Sequence, residues 1–343
     1  MSKKRGVTLD DIAKSLGVSR SLVSLVLNAK GESHGIAQQT QQRVLERAQE
    51  LNYYPNQFAR GLRMGRSNTL GLVVSDISNP FYSHISRYLE DLSDKNGYSI
   101  ITCSSDEKPE KEVKIIEMLK SRSVDGLIIS TSQETAQPFL NLKSEGFPVV
   151  LIDRHFEGQN ICSVTVDNFG GAKAATTHLL RMGYKNPIAL AISPTHISTI
   201  HNRIEGYKNA LLEAGLGARV FEVEFATQNQ TVASILEMLY VTNQFPDSIF
   251  AMNNSLTAST LAALRQMGVS IPQQVGIVSF DDLDYFGIMQ PGITAIAQPV
   301  KNICKAAFTL LTNQIEGLVH TSQNCIVSLP VELIERESTK LKL

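Results

Sequence analysis

The chain has 343 residues, of which 43% are hydrophobic and 19% charged, a globular composition that argues against intrinsic disorder. Its start, MSKKRGVTLDDIAKSLG, lacks the apolar core of a secretory signal, and no run approaches the ~18 apolar residues of a membrane span. We therefore expect a cytoplasmic protein.

The charge is unevenly distributed along the chain. Residues 1–66 contain 11 Lys/Arg and 5 Asp/Glu, a net charge of +6, so the total of −1 leaves −7 on residues 67–343. A small basic segment joined to an acidic body suggests that only the first segment meets a polyanion such as nucleic acid. Taken alone, the pattern is equally compatible with an ordinary solvated surface.

The four cysteines, Cys103, Cys162, Cys304 and Cys325, are far apart and form no CxxC pair. This spacing predicts buried, free thiols in a reducing compartment, and not disulfides or a metal site. The chain also lacks a phosphate loop, a GxGxxG dinucleotide loop, a GxSxG elbow and an HExxH motif. We therefore expect no catalysis, no cofactor and no bound metal.

Residues 7–28, VTLDDIAKSLGVSRSLVSLVLN, predict two short helices joined by a turn at Gly17. Thr8 and Ser19 are candidate N-caps because their hydroxyl oxygens suit the first free N–H groups of a helix. Two such helices describe a helix-turn-helix, whose second helix fits the major groove of DNA. A plain helical hairpin would show the same periodicity.

From residue 69 onward, apolar strand-like runs alternate with amphipathic helical stretches. Nine such runs lie at residues 70–74, 98–102, 124–130, 148–153, 163–167, 187–193, 220–225, 248–252 and 275–280. This alternation predicts parallel sheets with helices on both faces, and nine strands favour two doubly wound lobes over one sheet. The expected fold is thus an all-α helix-turn-helix head followed by an α/β core of two lobes.

Polar residues recur where the predicted strands end, as at Asp76, Asp153 and Asp281. Ligands of open α/β sheets bind beyond the carboxyl ends of the strands. Carboxylates and amides suit vicinal hydroxyls, and Phe81 and Tyr82 offer ring faces to the apolar side of a sugar. The pattern favours a sugar or sugar derivative over a purine.

Several motifs of the chain resemble the lac repressor (LacI) family of transcription regulators. They are residues 7–28, PNQFARGL (55–62), NTLGLVVSDISNPFY (68–82), VTVDNFGGAKAATTHLLRMGY (164–184) and GIVSFDD (276–282). The resemblance covers almost the entire chain. It implies a DNA-binding head (1–54), a hinge helix (55–66) and an effector-binding, dimerising core (67–343) similar to periplasmic sugar-binding proteins. The implied lobes comprise residues 67–163 with 293–318, and residues 164–292 with 319–340.

The resemblance also implies site residues. Those expected to contact DNA are Thr8, Ser19, Arg20, Ser21, Ser24, Leu25, Asn28, Asn56, Ala59, Arg60, Leu62 and Arg63. In this interpretation Leu62 is a wedge in the minor groove, although it could simply pack on the core. Those expected to bind the effector are Asp76, Phe81, Tyr82, Asp167, Arg203, Asn253 and Asp281. Asp76 could instead order its loop, and Asp167 could cap a helix.

Two positions depart from the family pattern. Leu25 stands where members commonly carry Arg, which replaces a hydrogen-bond donor by an apolar contact. The third helix, near residues 38–51, begins after Ala37 without the usual Ser cap, and the loop before it is longer.

The resemblance implies a homodimer on a pseudo-palindromic operator, controlled by a sugar. Effector identity, the sign of its effect and the operator sequence stay open. A solute-binding protein without DNA function and a regulator controlled by a protein partner are the alternatives.

Overall fold

The computed structural model describes residues 7–53, 66–195, 197–318 and 326–340. It divides into two compact units, residues 1–67 and 68–343, which we call the head and the core. The predicted hinge at 55–66 lies outside the described residues except for Arg66. Within the described part of the chain, no helix is both long enough and apolar enough to cross a bilayer.

The head contains helices α1 (Leu9–Leu16), α2 (Arg20–Leu27) and α3 (Gln38–Glu50). Thr8 caps α1 as predicted, because its hydroxyl accepts a hydrogen bond from the Asp11 amide at 3.3 Å. The Asp11 carboxylate in turn accepts a bond from the Thr8 amide at 2.8 Å, completing a capping box.

The turn between α1 and α2 also follows the prediction. Gly17 ends α1 with φ of 68°, a left-handed conformation that favours glycine. Ser19 then caps α2, and its hydroxyl accepts a bond from the Leu22 amide at 3.2 Å. The apolar faces of the three helices meet in one small hydrophobic cluster that includes Ile12, Val23, Val26, Val44 and Ala48.

Helix α3 begins without a side-chain cap, as expected from the sequence. Its N-cap residue, Ala37, has no side-chain acceptor for the free amides of the first turn. A 3-10 turn (Glu32–His34) lies in the preceding loop, and the Gln41 amide donates to the Ile36 carbonyl at 2.7 Å. The loop is therefore joined to the helix by a glutamine side chain.

Twelve strands are described in the core. They are β1 (Thr69–Val74), β2 (Ser99–Ser104), β3 (Gly126–Ile129), β4 (Val149–Ile152), β5 (Ser163–Val166), β6 (Pro187–Ser193), β7 (Val220–Glu224), β8 (Ser248–Ala251), β9 (Gly276–Phe280), β10 (Thr294–Ala297), β11 (Ile326–Leu329) and β12 (Glu332–Ile334). The helices between them are α4 (Pro80–Lys95), α5 (Pro109–Ser121), α6 (Gln137–Ser144), α7 (Asn168–Arg181), α8 (Ser198–Glu213), α9 (Gln228–Val241), α10 (Asn254–Gln266) and α11 (Val300–Ile315).

The strands form two six-stranded sheets, one in each lobe. The first has the order β11-β5-β4-β3-β1-β2 and is parallel throughout, with Leu70 paired to Ile100 and Gly126. The second has the order β12-β10-β9-β8-β6-β7, in which only the β10–β12 pair is antiparallel among the strands described. This confirms the predicted fold class.

Helices cover both faces of each sheet, so side chains alternate between two hydrophobic cores. In the first lobe, Leu72 faces α4 and α11, whereas its neighbour Val73 faces α5 and α6. In the second lobe, α7 and α8 cover one face, and α9 and α10 cover the other. Burial on both faces explains why the strands are almost continuously apolar.

The lobe boundaries differ from those predicted. Strand β5 belongs to the first sheet, β10 to the second and β11 to the first. The chain therefore crosses between the lobes after β5, after β10 and after β11. The predicted divisions at residues 164, 293 and 319 place β10, β11 and nearly all of β5 in the opposite lobe. Strands β10 and β11 were not recognised from their sequences, whereas β5 was recognised but assigned to the wrong lobe.

The prediction of four free thiols is wrong at one position. Cys103 and Cys304 are free, but Cys162 is disulfide-bonded. Cys162 directly precedes β5, whose partner strand β11 comes from the far end of the chain. Sequence spacing therefore carried no sign of a bond. Cys325 lies outside the described residues.

Candidate functional site

The carboxyl ends of strands from both sheets meet at a cavity of about 390 Å³ between the two lobes, which we call the interlobe cavity. This volume is near the lower end of the ~300–1,000 Å³ range of small-molecule sites. Its charged lining residues are Asp76, Asp106, Glu107, Lys108, Glu134, Asp153, Arg154, Arg203 and Asp281.

Four of these carboxylates sit on left-handed backbone. The φ angles are 54° at Asp106, 55° at Glu107, 65° at Asp153 and 74° at Asp281. A residue other than glycine in this region costs of order 1–3 kcal/mol and is held there by surrounding structure. Such conformations concentrate at functional sites, and here all four aim at one cavity.

Asp281 is held by residues from several parts of the core. The Gln298 side-chain amide donates to its carboxylate at 2.5 Å, and the Asn254 backbone amide approaches at 3.4 Å. Gln298 follows β10 on a crossing between the lobes, and its side-chain oxygen is buried without a partner among the described residues. Gln298 was missed in the sequence because a lone glutamine on a crossover carries no motif.

Arg203 is 4% exposed on α8 and is held by neutral acceptors. Its Nε donates to Asn168 at 2.8 Å and its Nη1 to the Met252 carbonyl at 2.7 Å, while the guanidinium stacks on Phe280 at 3.6 Å from the ring centre. Burial lowers the pKa of Arg203, and the nearby carboxylate of Asp281 opposes this shift. No hydrogen bond from its Nη2 is found within the described ranges.

Asp153 and Tyr82 form a buried polar network. The Tyr82 hydroxyl donates to the Asp153 carboxylate at 2.9 Å and accepts from the Ser130 hydroxyl at 2.9 Å. Burial raises the pKa of both Tyr82 and Asp153. The hydroxyl of Tyr82 is thus engaged within the protein, and its ring remains as the part that lines the cavity.

Arg154 and Glu107 form a two-pronged ion pair at the cavity wall. The Arg154 nitrogens Nη1 and Nη2 donate to the two Glu107 oxygens at 2.7 and 2.6 Å. The pair is well shielded, with side-chain exposures of 12% for Arg154 and 24% for Glu107. Arg154 also donates to the Thr131 carbonyl at 2.9 Å.

The structure brings six of the seven predicted effector residues to this cavity. They are Asp76, Phe81, Tyr82, Arg203, Asn253 and Asp281. The Asp76 carboxylate also accepts two bonds from Ser78 and so orders its loop. The Asn253 side-chain oxygen caps α10 through the Leu256 amide at 2.7 Å. Both residues therefore have a structural role beside their place in the lining.

Asp167 is the exception. It does not line the interlobe cavity, and its carboxylate accepts the Gly170 amide at 2.7 Å as the N-cap of α7. Helix α7 begins at the next residue, and its free amides are the nearest donors to this carboxylate, so the capping alternative is present in the structure, while the ligand contact of Asp167 stays a prediction.

Two side-chain hydrogen bonds among the described residues join one lobe to the other. The Asn254 side-chain amide donates to the Asn79 side-chain oxygen at 2.8 Å, and the His155 backbone amide donates to the Ser198 hydroxyl at 3.1 Å. They lie on elements of opposite lobes, so a change in lobe spacing must stretch or break them.

In the head, α2 has one polar face that points away from the hydrophobic cluster of the three helices. Arg20 and Ser21 are exposed, and Leu25 is half-buried outside the hydrophobic cluster. Arg20 lies 3.7 Å from Asp10 in an exposed ion pair, which is weak in water. Ser24 and Asn28 continue this face, with the Asn28 amide donating back to the Ser24 carbonyl at 2.7 Å.

Thr8 and Ser19, also predicted to contact DNA, are the helix caps described above. The remaining predicted DNA contacts are Asn56, Ala59, Arg60, Leu62 and Arg63, and all five lie outside the described residues.

Two family descriptions match the chain. "Bacterial regulatory proteins, lacI family" matches residues 8–56, and "Periplasmic binding proteins and sugar binding domain of LacI family" matches residues 67–337. Together they cover the head and nearly all of the core, which confirms the resemblance found in the sequence.

Individual proteins agree with this match. The ribose operon repressor of Halalkalibacterium halodurans is 33% identical over 333 residues, 97% of each chain. A LacI family transcriptional regulator from Enterococcus faecium, solved with bound ribose, is 30% identical with a TM-score of 0.70 over 80% of this chain and 100% of that one. The lac repressor dimer bound to operator shares the fold, with 21% identity and a TM-score of 0.85 over 98% and 100%. The chain belongs to the lacI family of bacterial regulatory proteins, whose members are transcription regulators and not enzymes.

Proposed function

We propose that this protein is a cytoplasmic transcription repressor that binds a pseudo-palindromic operator as a homodimer and is controlled by a sugar in the interlobe cavity. The observation that carries the proposal is the presence, in one chain, of a capped helix-turn-helix with an outward polar face and a two-lobed core with convergent polar groups. A solute-binding protein without DNA function would leave the head unexplained.

In the head, α2 would lie in the major groove with Arg20, Ser21 and Ser24 toward base edges and phosphates. Leu25 would contact a thymine methyl, because it has no donor to offer. On the sequence alone, the hinge would add Arg60 and Arg63 against phosphates and Leu62 as a wedge in the minor groove.

In the core, the sugar would bind between groups supplied by both lobes. Asp281 and Asp76 accept from hydroxyls, Arg203 Nη2 donates to a ring or hydroxyl oxygen, and Phe81 covers an apolar ring face. The ribose named with the Enterococcus faecium structure and in the Halalkalibacterium halodurans repressor supports a sugar of this size.

Control would follow from lobe spacing. A ligand held by both lobes favours one spacing, and it shifts the equilibrium only by its difference in affinity for the two. Either sign of response is compatible with this, so the sugar could release or strengthen operator binding.

The proposal is tested by selecting an operator from a pool of random duplexes with the intact protein. The logarithm of the affinity should fall linearly with the logarithm of salt, by ~0.9 per phosphate neutralised. Failure to enrich any sequence would reduce the protein to a solute receptor.

Replacing Arg20 by Ala then distinguishes whether Arg20 contacts a base or a phosphate. A base contact predicts a loss of ~1–3 kcal/mol and relaxed preference at one operator position, whereas a phosphate contact weakens all sequences equally and lowers the salt slope by ~1. Arg47→Ala on α3, where Arg47 bonds Ser15 and Glu50, is the matched control.

A further inference from the structure

The interlobe cavity has three cations, and the best placed one is already occupied. The guanidinium of Arg154 presents its two Nη groups to both oxygens of Glu107 at 2.7 and 2.6 Å. This two-pronged geometry is the one that Arg uses to bind carboxylate or phosphate groups of ligands. Because Glu107 accepts from both Nη groups of Arg154, these groups are not available to an anionic group of a ligand.

The other two cations of the cavity, Arg203 and Lys108, are not placed to bind an anionic group in its stead. Arg203 keeps one free nitrogen, but its charge faces the carboxylates of Asp281 and Asp153, which stabilise it from inside the protein. Lys108 is exposed to solvent at the cavity edge. Neither offers an unshared buried charge.

The overall charge of the lining opposes anions as well. Six carboxylates face three cations. Lys111 pairs with Asp106 from outside the lining and adds a fourth cation, so two carboxylates remain in excess. Hydroxyl groups, by contrast, donate hydrogen bonds to carboxylates and so offset the free-energy cost of burying these charges.

The position of Glu107 is fixed by an unusual backbone conformation and by a backbone hydrogen bond. Asp106 and Glu107 are consecutive residues with φ of 54° and 55°, so the loop after β2 adopts a conformation that neither residue prefers. The Glu107 amide donates to the Ser75 carbonyl at 3.1 Å, and this bond holds the loop against the end of β1. The orientation of the carboxylate is thereby fixed from the first lobe.

We propose that Glu107 is the residue that makes the cavity selective for neutral, polyhydroxylated ligands, by occupying Arg154 and so excluding carboxylated and phosphorylated sugars. The inference rests on the proposed function of the interlobe cavity as the effector site. It narrows the ligand to a charge class and assigns that selectivity to one ion pair.

The test compares matched ligands on the full-length protein by isothermal titration calorimetry. The probes are ribose with ribose 5-phosphate, glucose with glucose 6-phosphate and glucuronate, and galactose with galacturonate. The wild-type protein should bind at least one neutral sugar at least tenfold more tightly than its charged counterparts. A wild-type preference for the charged member of a pair overturns the proposal without any variant.

The variant Glu107→Gln removes the charge but keeps the shape, and it should reduce the neutral-to-charged affinity ratio at least tenfold. Glu110→Gln, an exposed glutamate in the first turn of α5, removes one charge nearby without lining the cavity and should leave the ratio unchanged. The double variant Glu107→Gln, Arg154→Gln should restore the rejection of anions, because the guanidinium that Glu107 had occupied is then absent and Arg203 still faces Asp281 and Asp153.

An unchanged ratio in a cooperatively folded Glu107→Gln protein also overturns the proposal. If no probe of either class binds the wild-type protein, the sugar-binding function itself fails, which is a different outcome from binding with the wrong charge preference.

Discussion

Asp281 combines three properties that few single residues of this chain share. It is 7% exposed, its backbone is left-handed, and its carboxylate accepts from Gln298, which lies on a crossing between the lobes. A ligand hydroxyl that binds the Asp281 carboxylate therefore contacts a group that is held by Gln298, on a chain segment that connects the two lobes.

Replacing Asp281 by Asn should weaken sugar binding by roughly 10- to 150-fold, because a hydrogen bond to a charged group contributes ~1.5–3 kcal/mol. Asn tolerates the left-handed backbone, so folding should be preserved. Calorimetric titration of the sugar checks this, with Asp94→Asn as the control, since Asp94 is exposed near the end of α4 and does not line the cavity. Equal losses in the two variants would remove Asp281 from the site.

His178 gives the core a pH-dependent contribution to stability. It is 3% exposed, its Nε2 lies 2.8 Å from the Thr339 hydroxyl, and its other nitrogen faces Glu335 and Arg181. Burial lowers the pKa of His178 below its usual 6.5, with Glu335 opposing and Arg181 reinforcing the shift.

The unfolded chain therefore takes up this proton before the folded chain does, and stability is lost as the pH falls below about 6.5 toward the lower folded pKa. The variant His178→Gln should lose less stability than the wild-type protein between pH 7.5 and 5.5, although it is less stable at both. Urea unfolding at the two pH values measures the difference, and His201→Gln, at an exposed position, is the control. Parallel losses in the wild-type and His178→Gln proteins would contradict the assignment.

At the scale of elements, helices α7 and α8 pack closely at Gly206. A Cβ atom there would lie 2.2 Å from the Phe169 carbonyl oxygen and 3.0 Å from the Lys173 amide nitrogen, both of them backbone atoms. Gly206→Ala should therefore force the helices apart and destabilise the core by ~1–3 kcal/mol. Urea denaturation measures this loss. Gly217→Ala, where nothing lies within 4 Å, should change the midpoint little, and a similar shift in both would refute the packing argument.

The start of α3 offers a gain of stability. Thr in place of Ala37 supplies the missing acceptor for the first-turn amides and should stabilise the helix by ~1 kcal/mol, whereas Val has the same shape without the hydroxyl. Hydrogen exchange of the α3 amides in the full chain should slow in Ala37→Thr and not in Ala37→Val. Equal protection in both variants would show that the cap is not what limits this helix.

The elements that the sequence predicted are those with long apolar runs. All nine predicted strands are present, because parallel strands buried on both faces are apolar throughout. Strands β11 and β12 were missed because they are partly exposed edge strands without a continuous apolar run, and β10 because its four residues, TAIA, include only one large apolar side chain.

Part of the cavity lining was likewise predictable from the sequence. Asp281 and Asp76 directly follow strands, and they were predicted because ligands of α/β sheets bind beyond the carboxyl ends of the strands. Gln298 and Glu107 stand on a crossover and a loop, where only the three-dimensional pairing with Asp281 and Arg154 reveals their role. For Asp167 the sequence alone could not decide between a helix cap and a ligand contact, and the structure shows the cap.

For the whole molecule, the account requires that the core regulates the head. The cavity is lined by residues of both lobes, and the bonds from Asn254 to Asn79 and from His155 to Ser198 join the lobes. A ligand that changes the spacing of the lobes must therefore stretch or break these bonds, and we expect the chain crossing at Gln298 to move with it.

The most direct test is the operator affinity of the full-length protein with and without a saturating sugar that calorimetry has shown to bind. The account predicts at least a tenfold change in operator affinity, in either direction, for the wild-type protein. In Asp281→Asn the operator affinity without sugar should equal that of the wild type, and the sugar concentration that gives half of the response should rise by the same roughly 10- to 150-fold as the sugar Kd. An operator affinity that is indifferent to a bound sugar, or an unchanged half-response concentration in Asp281→Asn, would contradict the coupling of cavity and head.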